Sequence, residues 1–207
     1  MFVDMMFPGY QGLAAGPGLS RARQQYEQES CADRAAFGEN DPRTQLSKHN
    51  LAEALTDSDP AEAERLHREL LAFRERAFGP ENTRTAITLN SLGSLCRKRG
   101  ALEEAEALLR RALAVREAAP GEAFDAAVTR DELACVLQAA GRKDEARAVR
   151  LRAGTQGLIC SHAPCSKTAG QAGAPLKECA RCHAIWYCSP ACQRADWTAN
   201  HRAVCCP

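Results

Sequence analysis

Thr88-Leu-Asn-Ser-Leu-Gly-Ser-Leu95 returns 41 residues later as Thr129-Arg-Asp-Glu-Leu-Ala-Cys-Val136. The same shift carries Gly100 to Gly141, Ala105 to Ala146 and Leu108 to Val149. Backwards, Leu92 falls on Leu51, and one residue lost in the turn lets Ala105 fall on Ala63. Phe37-Gly38 recurs as Phe78-Gly79. Apolar residues within each unit keep a helical period, so a repeat of this length reads as two helices that bury their faces by stacking on neighbours.

The hairpin logic extends outward from that stretch. Ala63, Ala105 and Ala146 fall early in the second helix of each pair, where two helices must approach closely. Gly100 and Gly141 fall at the turn, where a left-handed backbone is least costly without a Cβ. Asp59 is placed to cap a helix that starts at Pro60. The expected helices are 19–36, 42–56, 60–77, 83–99, 102–118, 124–140 and 143–155, a leading helix and three hairpins.

These residues resemble the tetratricopeptide repeat, in its longer kinesin-light-chain-like variety. Leu89, Leu92, Gly93, Cys96, Gly100, Ala105, Leu109 and Ala112 stand at that family's marked positions. His67 and Arg150 depart from it, standing where a large apolar or aromatic residue is usual, and Cys96 stands where Tyr is usual. The resemblance implies a concave groove for a peptide or partner helix, lined by the first helix of each pair, with Asn50, Asn90, Ser91 and Arg97 as its candidate residues. Arg97-Lys98-Arg99 reads as a helix C-terminus complementing the macrodipole. Cys96 and Cys135 fall at apolar-phase positions and read as small buried hydrophobes.

The segment after residue 157 follows another rule. Eight ligands stand in four pairs: Cys160/Cys165, Cys179/Cys182, Cys188/Cys192 and His201/Cys205. Each spacing lets two side chains reach one tetrahedral ion, so eight ligands read as two closed structural zinc sites. The segment has few large apolar residues and needs such staples, and a structural zinc supplies about 10–16 kcal/mol of folding free energy. Thiolate ligands require a reducing compartment, so cytoplasm or nucleus is the expected location. His162 and Cys206 are secondary ligand candidates, and His183 is expected to be exposed.

Spacing alone leaves three ways of combining four pairs. Trp186-Tyr-Cys-Ser-Pro-Ala-Cys-Gln-Arg-Ala-Asp-Trp197, followed by His201 and Cys205, resembles the MYND-type zinc finger over residues 160–205. That resemblance implies a crossed arrangement: Cys160, Cys165, Cys188 and Cys192 on one zinc, and Cys179, Cys182, His201 and Cys205 on the other. Two departures stand out, a first pair wider than usual and three residues rather than two between Trp197 and His201. Residues 167–175 read as a flexible loop between knuckles.

The fold class is therefore mostly α: a helical-hairpin, tetratricopeptide-like solenoid over 19–155, then a small two-zinc MYND-like module over 158–207. Residues 1–18 read as a disordered leader, without the basic start and continuous apolar run of a signal peptide.

Charge bears on the partner. The chain carries a formal net charge of +1. Residues 158–207 hold Lys167, Lys177, Arg181, Arg194 and Arg202 against Glu178 and Asp196, and seven thiolates with two Zn²⁺ bring that surplus to about zero. Nucleic acid is thus a disfavoured partner and a peptide a favoured one. The MYND resemblance implies a site for proline-containing peptides at Gln193 and Trp197, with Ala180 where a hydrogen-bonding Ser can occur. Some MYND fingers belong to SET-type lysine methyltransferases, but the chain has no Asn-His-Ser run of that catalytic domain, and no P-loop or open metal site is apparent. A non-enzymatic adaptor that recognises peptide segments is the expected function. A non-catalytic relative of the SET/MYND methyltransferases and a nucleic-acid-binding finger are the alternatives.

Overall fold

The computed structural model describes residues 17–205, apart from 163, 166 and 174. The expected leader lies outside the described residues up to residue 16; its last two residues open the first helix. Seven helices follow in order: α1 Pro17–Phe37, α2 Pro42–Leu55, α3 Pro60–Phe78, α4 Thr83–Lys98, α5 Leu102–Ala118, α6 Ala123–Ala139 and α7 Lys143–Leu151. Sequential helices pack antiparallel, giving hairpins α2/α3, α4/α5 and α6/α7 behind the leading α1. Among the described residues no helix is long and apolar enough to cross a membrane.

The devices read from the repeat are present. Ala63, Ala105 and Ala146 are fully buried. Gly93 lies so close to α5 that a Cβ there would stand 2.7 Å from Leu109 Cγ. Gly100 and Gly141 turn the second and third hairpins at φ of 80° and 79°. The first hairpin turns without glycine, and Asp59 accepts a hydrogen bond from the Glu62 amide at 3.3 Å. The core runs from Leu51, Leu55 and Leu66 through Leu95 into Leu92, Leu109, Leu133 and Leu137.

The junctions between hairpins repeat as closely as the helices do. Thr44 Oγ1 donates to Gly38 O, and Thr85 Oγ1 to Gly79 O, both at 2.8 Å. Asp41 and Asn82 cap α2 and α4. Arg74 donates to Arg84 O and Thr88 Oγ1, and Arg116 donates to Asp125 O and Thr129 Oγ1. These buried arginines tie each second helix to the helix after it by satisfying carbonyls near its start.

One boundary differs from expectation by more than two residues. α7 ends at Leu151 rather than 155, because Gly154 takes φ of 69° and its amide bonds back to Leu151 O. A short 3₁₀ turn, Thr155–Gly157, then leads into the cysteine-rich module.

That module contains β1 Lys177–Glu178, antiparallel to β2 Trp186–Tyr187, and α8 Pro190–Asp196. Ser189 caps α8 by accepting from the Cys192 amide at 3.2 Å, and Pro190 occupies its first turn. A π turn, Trp197–His201, then leads into a last helical turn, Arg202–Val204. A π turn holds one residue more than an α turn. It therefore absorbs the additional residue between Trp197 and His201 and keeps both on usable faces. The start of the expected 167–175 loop is tied down: Cys160 N donates to Lys167 O at 2.8 Å, Ala169 N donates to Leu158 O, and Ile159 pairs with Thr168.

Candidate metal centre and its docking on the solenoid

Local structure brings the four pairs together two by two. Cys188 and Cys192 sit at the capped start of α8, so one turn places their sulfurs 3.5 Å apart. Cys165 Sγ lies 3.5 Å from Cys188 Sγ, and Cys160 completes that group. Cys179 and Cys182 flank a tight turn in which His183 N donates to Cys179 O, and Cys205 N donates to His201 O. Cys179 Sγ is 3.9 Å from Cys205 Sγ, and Cys182 Sγ is 3.3 Å from His201 Nε2. Within each quartet the ligand atoms all lie within 4.8 Å of one another.

These distances fit a metal. A tetrahedral ion with Zn–S near 2.3 Å sets its sulfurs about 3.8 Å apart, and a sulfur and an imidazole nitrogen slightly closer. A disulfide needs about 2.05 Å, far shorter than the separations here. The grouping of pairs is the crossed one. Cys160/Cys165 sits with Cys188/Cys192, and Cys179/Cys182 with His201/Cys205.

Electrostatics also favours a cation. Burial pushes the Cys160 thiol up, and pushes the Cys205 thiol up to about 12. At Cys188 burial is outweighed by hydrogen bonds from Cys165, Cys192 and Cys160, and the net direction is down. Sulfurs this close cannot all ionise unless a positive charge stands among them, and zinc supplies one.

The histidine is oriented by two residues that the sequence reading did not single out. Tyr187 donates its hydroxyl to Asp196 Oδ2 at 2.6 Å and stands 2.7 Å from His201 Nδ1. With the Tyr187 hydroxyl donating to Asp196, the phenol oxygen is left to accept from His201 Nδ1–H. That leaves Nε2 unprotonated and turned toward Cys182. Asp196 and His201 are both buried. Such outer contacts fix tautomer and ring direction together. The sequence signal was available in the Tyr187…Asp196…His201 spacing, but only the fold shows the three converge.

Other candidates are placed as follows. His183 is exposed and pairs with Glu178 at 3.0 Å. His162 stands outside both quartets, and Cys206 lies outside the described residues. Trp197 is half-buried, edge-on to His201 at 5.4 Å, and Gln193 lies one turn earlier on α8. Asn50, Asn90, Ser91 and Arg97 are half-buried on α2 and α4. Asn90 Oδ1 is engaged by Thr129 Oγ1 at 2.9 Å, and Arg97 Nε donates to Glu132 at 3.2 Å, so both also tie α4 to α6. Cys96 is fully buried and its thiol is pushed up to about 11. Cys135 is only partly buried and accepts from Arg150 at 3.4 Å, so it serves as a polar neighbour as well as a packing group.

The module docks on the last hairpin. Arg150, 3% exposed, donates to Asp131 Oδ1 at 2.6 Å, to Gln138 Oε1 at 3.0 Å and to Ala184 O at 2.7 Å. Ser161 Oγ also donates to Asp131 Oδ1, at 3.0 Å. Arg147 donates to His183 O at 2.8 Å and stands over the Trp186 ring.

Family models agree with this geometry. A tetratricopeptide repeat matches residues 43–118 and 84–153, and a MYND finger matches residues 160–205. The chain belongs to the tetratricopeptide repeat family and carries a MYND finger after the repeats. Among solved structures it is similar to BtubC (BKLC) from P. vanneervenii, at 27% identity and a TM-score of 0.61, over 66% of this chain and 55% of that one. It is also similar to a putative kinesin light chain from Podosopora anserina with nearly identical repeats, at 22% identity and a TM-score of 0.56, over 63% of each chain. The chain thus spans less than two thirds of the length of either. Both likenesses are to kinesin light chain-like repeat proteins.

Proposed function

We propose that this chain is a non-enzymatic, intracellular adaptor. The finger carries two structural zinc ions, one on Cys160, Cys165, Cys188 and Cys192 and one on Cys179, Cys182, His201 and Cys205. Both quartets are closed, with four protein ligands and no position for substrate. That observation carries the reading: the metals build a surface and leave no open coordination site.

The surface reads peptide segments, and proline-containing ones at Gln193 and Trp197. Support comes from their one-turn spacing beside the second quartet and from the half-exposed indole, an aromatic face suited to an extended or proline-rich segment. The helices α2 and α4 offer a second reading surface at Asn50, Asn90, Ser91 and Arg97. Asn90 and Arg97 already link α4 to α6, so an occupant would bind a pre-organised groove. Near-zero charge of the zinc-loaded finger disfavours nucleic acid.

The test is equilibrium binding of a proline-containing peptide panel to the full chain, its Trp197→Ala variant and its Gln193→Ala variant. The expected result is binding by the wild type that weakens in both. Equal binding by all three would reassign Trp197 to packing against His201 and remove peptide reading from the finger.

A further inference from the structure

The first hairpin holds a cluster that the repeat itself does not require. His49 and Glu53 are one turn apart on α2, and His67 faces them from α3. One ligand atom from each lies within 4.8 Å of the others, and His67 Nε2 stands 3.6 Å from Glu53 Oε1. The two imidazoles are edge to face at 5.9 Å. His49 is 5% exposed and His67 1%. His49 Nδ1, His67 Nδ1 and Glu53 Oε1 are buried without a hydrogen-bond partner.

The other repeats show what these positions do when they are structural. In the second hairpin they are Asn90, Ser94 and Leu109, and Asn90 is satisfied by Thr129 of the next helix. In the third they are Asp131, Cys135 and Arg150, and the finger completes that set through Ala184 O and Ser161. The second hairpin leaves one buried hydroxyl, Ser94 Oγ, without a partner, whereas the first gathers two imidazoles and a carboxylate here and leaves an atom of each unpartnered. A leucine would fill the place of His67, as Leu109 shows, so packing does not explain a histidine.

We propose that His49, Glu53 and His67 form a binding site for a divalent late first-row transition metal, with zinc as the reference cation. Two imidazoles and a carboxylate are the donor set such ions take, and i, i+4 spacing puts His49 and Glu53 on one helix face. Burial, reinforced by Arg74, pushes His49 down to about 3 and His67 to about 4, so both are neutral and ready to ligate. Arg74 is engaged by Arg84 O and Thr88 Oγ1, and its charge is, among the described residues, the one cation acting on both imidazoles that an incoming ion must offset. Burial pushes the Glu53 carboxyl up against the opposing pull of Ser91 and Lys98, so the carboxylate that offsets the ion's charge forms as the ion binds and displaces its proton. The Glu53 side chain is 32% exposed, which gives the ion an entry path. Three protein ligands leave a coordination position free, so this site differs in kind from the closed quartets.

The experiment titrates the metal-free full chain with cobalt(II), following bound metal per chain and thiolate-to-cobalt charge-transfer absorption separately. The expected result is a charge-transfer band that completes with the finger, followed by one further equivalent that adds only weak ligand-field absorption. His67→Leu removes that last equivalent and leaves the thiolate band unchanged; His49→Asn, the residue the second hairpin carries, does the same if the leucine variant fails to fold. Wild-type binding that stops when the thiolate band is complete would overturn the proposal, as would an extra equivalent that survives both substitutions. Failure of the zinc-finger reading is distinct, because it appears as a missing thiolate band.

Discussion

Arg150, on the last helix of the solenoid, donates to the carbonyl of Ala184 inside the finger at 2.7 Å. The same guanidinium holds Asp131, which also receives Ser161 from the finger. A residue that departs from the repeat pattern is thus the joint between the two modules. Its charge is taken from water by both and satisfied by both, so the finger caps the exposed end of the last hairpin.

Arg150→Leu restores the residue type of Leu109 and removes the joint. Removing one partner of a buried ion pair costs about 3–5 kcal/mol. The variant is expected to unfold at lower temperature and to lose hydrogen-exchange protection around Ala184 while still binding zinc. Unchanged protection there would show that the finger is held by other contacts.

Tyr187→Phe removes the hydroxyl shared by Asp196 and His201. Loss of such an outer contact typically costs about 10–100-fold in metal affinity. Chelator competition should show one zinc per chain released more readily and the all-cysteine quartet unaffected. Equal loss from both sites would argue against a specific His201 role.

Gly93→Ala tests the close approach of α4 and α5. The added Cβ meets Leu109 Cγ at 2.7 Å and Ala105 O at 3.4 Å. Overpacking of this kind costs about 1–3 kcal/mol, read as a lower urea midpoint. An unchanged midpoint would mean that the helices separate freely.

Acid should weaken the first hairpin through His49 and His67. Their folded values, about 3 and about 4, lie below the ordinary imidazole value. Between that ordinary value and the folded ones the unfolded chain binds more protons, so stability present at neutral pH is lost as pH falls. Far-ultraviolet circular dichroism melts across this window should show a steeper decline for the wild type than for a His49→Asn/His67→Leu chain. Parallel slopes would place the acid sensitivity elsewhere.

The sequence carried the repeat and the four ligand pairs because both obey short-range rules. Helical period, turn glycines and i, i+4 or knuckle spacing are local constraints. What it hid were convergences of distant residues. Arg150 and His67 read only as mismatches at one repeat position, yet one is the joint to the finger and the other joins a buried His–Glu–His cluster. The junction arginines Arg74 and Arg116 also escaped notice, since a lone Arg on a helix does not announce the carbonyls it reaches. The end of α7 was placed too late because Gly154 acts through its positive φ, which composition suggests only weakly.

The central claim is that seven thiolates and one imidazole close two zinc sites. Zinc-edge X-ray absorption on the full chain holding two equivalents of zinc tests it most directly. The account predicts a mean shell of sulfur with a minor nitrogen share, seven sulfurs and one nitrogen over the two ions. A shell with half or more oxygen and nitrogen donors, or saturation at one ion per chain, would contradict it.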